Sequence, residues 1–112
     1  MEKEIVFYRT KLGREPFKRW ISKLKDLRGA AKIQTRINRL SLGNHGNSRH
    51  LQQGVHELKI DYGPGYRIYF AESQGNQLVL LLFGGTKRTQ DKDIETAVKH
   101  WKSYKTRLQD EH

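Results

Sequence analysis

The sequence predicts a small α+β domain with elements in the order β-α-α-β-β-β-α, and three observations carry that prediction. Residues 56 to 72, HELKIDYGPGYRIYFAE, alternate apolar and polar side chains on both sides of a Gly-Pro-Gly turn, as a half-buried hairpin does. Residues 77 to 83, QLVLLLF, form a near-continuous apolar run of strand length, the kind buried on both faces. Two stretches of helical periodicity precede these strands and one follows them, so strands and helices are grouped along the chain.

The elements can be justified in order. Glu4 to Thr10 (EIVFYRT) is apolar and β-rich, a short first strand. After a turn at Lys11-Leu12-Gly13, Pro16 sits where a first helical turn tolerates it, and Phe17, Trp20, Ile21, Leu24 and Leu27 follow at helical spacing. Gly29 is expected to break that helix. Ala30, Ile33, Ile37 and Leu40 mark a second helix, which ends near Gly43 and carries Lys32, Arg36 and Arg39 off its apolar stripe. Residues 44 to 53 (NHGNSRHLQQ) read as a polar loop. Its two histidines, His45 and His50, match no familiar metal-ligand spacing, and no cofactor is expected.

The hairpin register follows from its pattern. Leu58, Ile60 and Tyr62 in one arm, and Tyr66, Ile68 and Phe70 in the other, are all at even positions. Opposed residues share a face, so even must pair with even. A three-residue loop, Gly63-Pro64-Gly65, meets that condition by pairing Tyr62 with Tyr66. Asp61 then falls opposite Arg67, Lys59 opposite Tyr69, and Glu57 one step further, all on the polar face. The final helix is expected from about Asp91 to Leu108, with acidic residues at its start and Lys and Arg toward its end, matching the helix dipole.

The bulk composition bounds the function. The chain has 112 residues, enough for one domain spanning 1–112, and no Cys, which excludes disulfides and thiolate metal sites. Charges at Glu2, Lys3 and Glu4 stand where the apolar part of a signal peptide would begin, and the longest apolar run is far short of a membrane span, so a cytoplasmic protein with no membrane partner is expected. Lys plus Arg number 22 against 12 Asp plus Glu, a formal net charge of +10 that points to a polyanionic partner, first of all nucleic acid.

Among the motifs, Gly84-Gly85-Thr86-Lys87-Arg88 lacks the spacing of a phosphate-binding P-loop, and two glycines after a strand more often mark a turn or bulge. Lys87 and Arg88 nonetheless leave the sheet where a helix begins. No Ser-His-Asp or Cys-His set is present. The hairpin's polar face remains. Weak cross-strand ion pairs on a solvated sheet account for Asp61 with Arg67, but less well for Lys59 opposite Tyr69. Cations with a phenol and a carboxylate suit RNA cleavage by the neighbouring 2′-hydroxyl. That reaction needs charge stabilisation at a dianionic phosphorane, a proton acceptor and a proton donor.

Two stretches, VHELKIDYGPGYRIYF and LVLLLFGGTKRTQDKDIETAVKHW, resemble the RelE/ParE superfamily of type II toxins, and more narrowly its HigB-like "addiction module killer protein" group. With the N-terminal strand and helices, the resemblance covers essentially the whole chain. It implies helices packed on one face of an antiparallel-rich sheet and a concave basic groove on the other. It implies an endoribonuclease that cleaves mRNA on the translating ribosome, with Lys59 and Arg67 matching the basic positions of that groove and Lys87 and Arg88 those just after the last strand. On this reading Arg67 and Lys87 would hold the scissile phosphate, and attack by the 2′-hydroxyl needs no metal. Lys59 and Arg88 would support the phosphate or contact RNA, and Glu57 or Tyr69 would act as general acid or base. Relatives that cleave RNA often place a Tyr or His near the C-terminus; here His100 and Tyr104 lie on the long helix. The implied partners are mRNA, the ribosome and a cognate antitoxin, a small helix-turn-helix protein encoded alongside. Relatives of the ParE type inhibit DNA gyrase without cleaving anything, and a plain RNA-binding module is a further alternative.

Overall fold

In the computed structural model, which describes residues 2–73, 75 and 77–110, five strands form one mixed sheet flanked by helices on both sides. The expected domain limits at 1 and 112 lie outside the described residues. In chain order the elements are β1 (Glu4–Phe7), α1 (Pro16–Ser22), α2 (Leu27–Ser41), β2 (Ser48–Gln52), β3 (Val55–Ile60), β4 (Tyr66–Glu72), β5 (Leu78–Thr86) and, after one 3₁₀ turn at Lys87–Thr89, α3 (Gln90–Asp110). The sheet order is β1-β5-β4-β3-β2, with β1 parallel to β5 and every other pair antiparallel.

The α+β class holds, and two features of the expected arrangement are corrected. The segment 44–53 is not all loop, because Ser48–Gln52 pairs with β3 as an edge strand. The helices do not share one face. Phe17 of α1 and Ile33, Ile37 and Leu40 of α2 pack against Leu58, Ile60, Tyr66, Ile68 and Phe70 on one side. Ala97 and Val98 of α3 pack against Val55, Tyr69, Ala71, Leu80 and Leu82 on the other. The apolar run in β5 requires this, since Val79 and Leu81 point to the first core and Leu80 and Leu82 to the second.

Three glycines read as breakers or turns are close-approach positions instead. Gly29 lies inside α2, whose N-cap is Asp26; the Asp26 carboxylate accepts from the Gly29 N–H at 2.9 Å and from the Tyr66 hydroxyl at 2.6 Å. A Cβ on Gly29 would stand 2.6 Å from the Tyr66 ring. Gly84 and Gly85 belong to β5, Gly84 lying directly beneath the Trp20 indole and Gly85 directly beneath the Asp93 carboxyl.

The even-with-even rule holds in the hairpin, but the register is two residues away from the expected one. Ile60 pairs with Tyr66, Lys59 with Arg67 and Glu57 with Tyr69, so neither Asp61–Arg67 nor Lys59–Tyr69 is a pair. The loop therefore has five residues, 61 to 65. It closes with a Gly65 N–H to Tyr62 carbonyl bond of 3.0 Å over left-handed Gly63 (φ 55°), and Gly65 is left-handed too (φ 79°). Its far end is tied to the start of the 3₁₀ turn, where the Lys87 N–H donates to the Gly65 carbonyl at 2.7 Å.

Candidate functional site

The odd-numbered face of β3 and β4 is covered by α3 at one end and open at the other. This division decides what its polar residues can do. Tyr69 is fully buried under α3 and does not reach the open part. Its hydroxyl has no hydrogen-bond partner among the described residues. Burial pushes its pKa up, and the charges of Glu57 and Asp93 push it further, so it stays a neutral phenol. The expectation of Tyr69 on an exposed polar face is thus corrected.

Glu57 and Arg67 are buried as well, with 2% and 3% of their surfaces exposed, yet both line a cavity of about 340 Å³ at the open end. Lys59 and Lys87 stand on the same wall, so four of the expected site residues meet there. The cross-strand pairing of Lys59 with Arg67 brings two cations side by side. Lys59 lies 3.9 Å from Asp61, with both side chains largely in solvent. The Arg67 guanidinium donates once, from Nη1 to the Tyr66 carbonyl at 3.0 Å, and its buried Nε has no partner among the described residues. Gly65 makes room for it, since a Cβ there would come within 3.2 Å of Arg67 Nη1 and 3.3 Å of Lys87 Cβ. A guanidinium withdrawn from water with donors unspent is set up for an entering anion.

Two residues absent from the expected set complete the cavity. Arg49, opposite Glu57 across the β2–β3 pair, donates from Nε to Glu57 Oε1 at 3.1 Å, with 62% of its side chain in solvent. Gln90, the first residue of α3, donates from Nε2 to Glu57 Oε2 at 2.7 Å. Glu57 therefore does not pair with Lys59; both its oxygens are held. Gly85 makes the Gln90 contact possible by letting the first turn of α3, with Asp93, settle onto β5. Asp93 is bonded by the Thr89 hydroxyl, and burial raises its pKa. The signal for Arg49 was its place in SRHLQ, which an edge-strand reading of that segment would have set opposite Glu57.

Arg88 is not brought to this cavity. It is exposed and lines a neighbouring cleft with Asp91 and Lys92, which shares Lys87 and Gln90 with the cavity. His100 and Tyr104 do not line the cavity either: His100 stacks on Tyr8 at 4.6 Å between ring centroids and meets Phe83 edge-on, and Tyr104 stacks on Trp101 at 5.7 Å.

Fold and site together define a small α+β protein with a cavity of about 340 Å³, rich in cations, at one end of its sheet. The chain is 53% identical to an uncharacterized protein of Haemophilus influenzae over 81 residues, 72% of this chain and 81% of that protein, and it belongs to the same family. No family model matches the chain. No helix among the described residues is long and apolar enough to cross a membrane.

Proposed function

We propose that this chain is the toxin of a type II toxin–antitoxin module and that it cuts mRNA on the translating ribosome. The observation that supports this reading is the buried Arg67 guanidinium, with unspent donors, flanked by Lys59 and Lys87 in a cavity whose wall also holds a carboxylate. In the proposed reaction the 2′-oxygen attacks the adjacent phosphorus and the bond to the 5′-oxygen breaks, leaving a cyclic phosphate and a 5′-hydroxyl. Arg67 and Lys87 stabilise the charge that grows on the phosphorane oxygens. Glu57, freed from Arg49, takes the 2′ proton, and Lys59 or Lys87 protonates the leaving oxygen. An acidic antitoxin segment binding over the same cations would silence the activity, with an affinity that falls as salt rises.

The test is single-turnover cleavage of mRNA on a programmed ribosome. Arg67→Ala removes a contact strongest in the transition state and is expected to slow cleavage by roughly 100-fold or more. Cleavage at the wild-type rate by folded Arg67→Ala rejects the assignment of this cavity. A second reading, inhibition of DNA gyrase without catalysis, draws on the engagement of both Glu57 oxygens and the burial of Tyr69. Intact mRNA together with loss of gyrase supercoiling would favour it.

A further inference from the structure

The Arg67 cavity is one of three neighbouring hollows around the hairpin loop, each sharing lining residues with the next. The second, about 290 Å³, lies over the loop and shares Lys59, Arg67 and Lys87 with the first. The third, about 400 Å³, shares Asp61 and Tyr62 with the second and is floored by the outer face of α2. There Lys32, Arg36 and Arg39 recur at spacings of four and three residues, so they stack along one side of the helix. Asp61 is the lone carboxylate among the residues lining this hollow.

The cations of the third hollow differ in what they already do. Arg36 is a brace: Nη1 donates to the Lys59 carbonyl at 2.8 Å and Nη2 to the Asn47 carbonyl at 3.1 Å. Lys59 and Asn47 both line the first cavity, so Arg36 fixes the two sites relative to one another. Lys32 and Arg39 are exposed and make no ion pair among the described residues. Lys32 Nζ sits 4.9 Å from the centre of the half-exposed Tyr62 ring.

We propose that this hollow is a second subsite for single-stranded RNA, holding a nucleotide several positions along the strand from the one bound at Arg67. Lys32 and Arg39 take its phosphate, and its base stacks against Tyr62. A half-exposed aromatic ring beside cations that make no ion pair, with a second cationic hollow around the same hairpin loop, is a combination that binds single strands without reading sequence. An acidic peptide would use the same cations but brings no base to lie on the exposed part of the Tyr62 ring, whose other contacts are the first core and the Lys32 ammonium. The inference deepens the RNA-cleaving reading and rests on it for the identity of the ligand.

Titrating the full chain with fluorescent oligouridylates of about three and about ten nucleotides separates the two sites. The ten-mer is expected to bind tighter than the three-mer. Tyr62→Ala and the exposed pair Lys32→Ala/Arg39→Ala should each weaken the ten-mer roughly tenfold, leave the three-mer unchanged, and erase most of the length dependence. Tyr62→Phe, which keeps the ring, should bind like wild type, and so distinguishes lost stacking from a damaged fold. Ten-mer binding unaffected by the Lys32/Arg39 pair overturns the proposal. So does a pair variant that loses only an oligoglutamate peptide, which would make the hollow a protein-docking surface. Arg67→Ala in the same titration should weaken both oligomers. If it changes neither while the Tyr62 and Lys32/Arg39 variants do, the catalytic cavity is misassigned and the second subsite stands. Absence of ten-mer binding overturns the second subsite, while the Arg67 cavity stands or falls by cleavage on the programmed ribosome.

Discussion

A carboxylate in the middle of a sheet, with 2% of its surface exposed, costs stability unless its oxygens are satisfied, and Glu57 has Arg49 on one oxygen and Gln90 on the other. Glu57→Gln should therefore destabilise the fold by about 1–3 kcal/mol, more than an exposed ion pair would, because the new amide cannot accept from both partners. Urea unfolding measures this. If Glu57 is also the base, the same variant slows single-turnover cleavage by about 100-fold beyond any loss of folded protein. A destabilised variant that cleaves at the wild-type rate would make Glu57 purely structural. At this scale the sequence carried parity but not partners. Alternation with a period of two put Glu57, Lys59, Arg67 and Tyr69 on one face, as they are. It could not choose between registers two residues apart, because both keep even with even. The choice is made by the five-residue loop and by the Lys87 N–H bond to Gly65, contacts between positions 22 apart in the chain. Nor could alternation show that α3 covers Tyr69 and leaves Arg67 open.

Among the elements, those with a strong apolar period were legible and those defined by tertiary contact were not. α2, with Ile33, Ile37 and Leu40 buried on one stripe, and the strand over LVLLLF follow their patterns in type and core face. Their bounds differ: α2 takes in Leu27 and Gly29, which the sequence pattern assigns to the first helix and its end, and β5 runs on through Thr86. β2 was hidden because SRHLQ has a single large apolar residue, Leu51, and an edge strand needs no more than that when only one side is paired. The glycines misled for a related reason. A glycine that admits a neighbour looks, in sequence, like one that turns the chain. Gly84→Ala tests the distinction. Its backbone lies in β5 without positive φ, so a turn requirement predicts little harm. The Trp20 ring lies directly on the position a Cβ would fill, so close approach predicts a loss of about 1–3 kcal/mol as α1 is pushed off the sheet. An unchanged urea midpoint would show that Trp20 can move aside freely.

For the whole molecule, the titratable groups set how the fold responds to acid, and most act in one direction. Burial holds the His56 imidazole below its ordinary 6.5, and His50, its ring 5.1 Å away, adds to this against an opposing pull from Glu72. Burial alone does the same to His100, stacked on Tyr8. The unfolded chain takes up these protons before the folded one does. Their contribution is therefore complete above pH 6.5 and is lost as pH falls through the window beneath it. Glu72 comes next: burial pushes it up, but bonds from Lys3 and His45 outweigh that and hold it below 4.5, so its contribution is present above 4.5 and lost as pH falls through its folded value. Asp26, lowered by the Tyr66 hydroxyl and the Gly29 N–H, follows the same sign. Asp93 opposes them, since burial raises it and the folded state binds that proton first. The expected profile is an unfolding free energy, read from urea midpoints, that falls from about pH 7 to about pH 5 by at most about 1.4 kcal/mol per pH unit for each proton displaced. His100→Phe keeps a ring on Tyr8 and removes one titrating group, so its profile should be measurably flatter over that interval while the Glu72 limb below it is unchanged. A wild-type midpoint that stays level from about pH 7 to about pH 5 would mean that neither imidazole is held neutral by the fold.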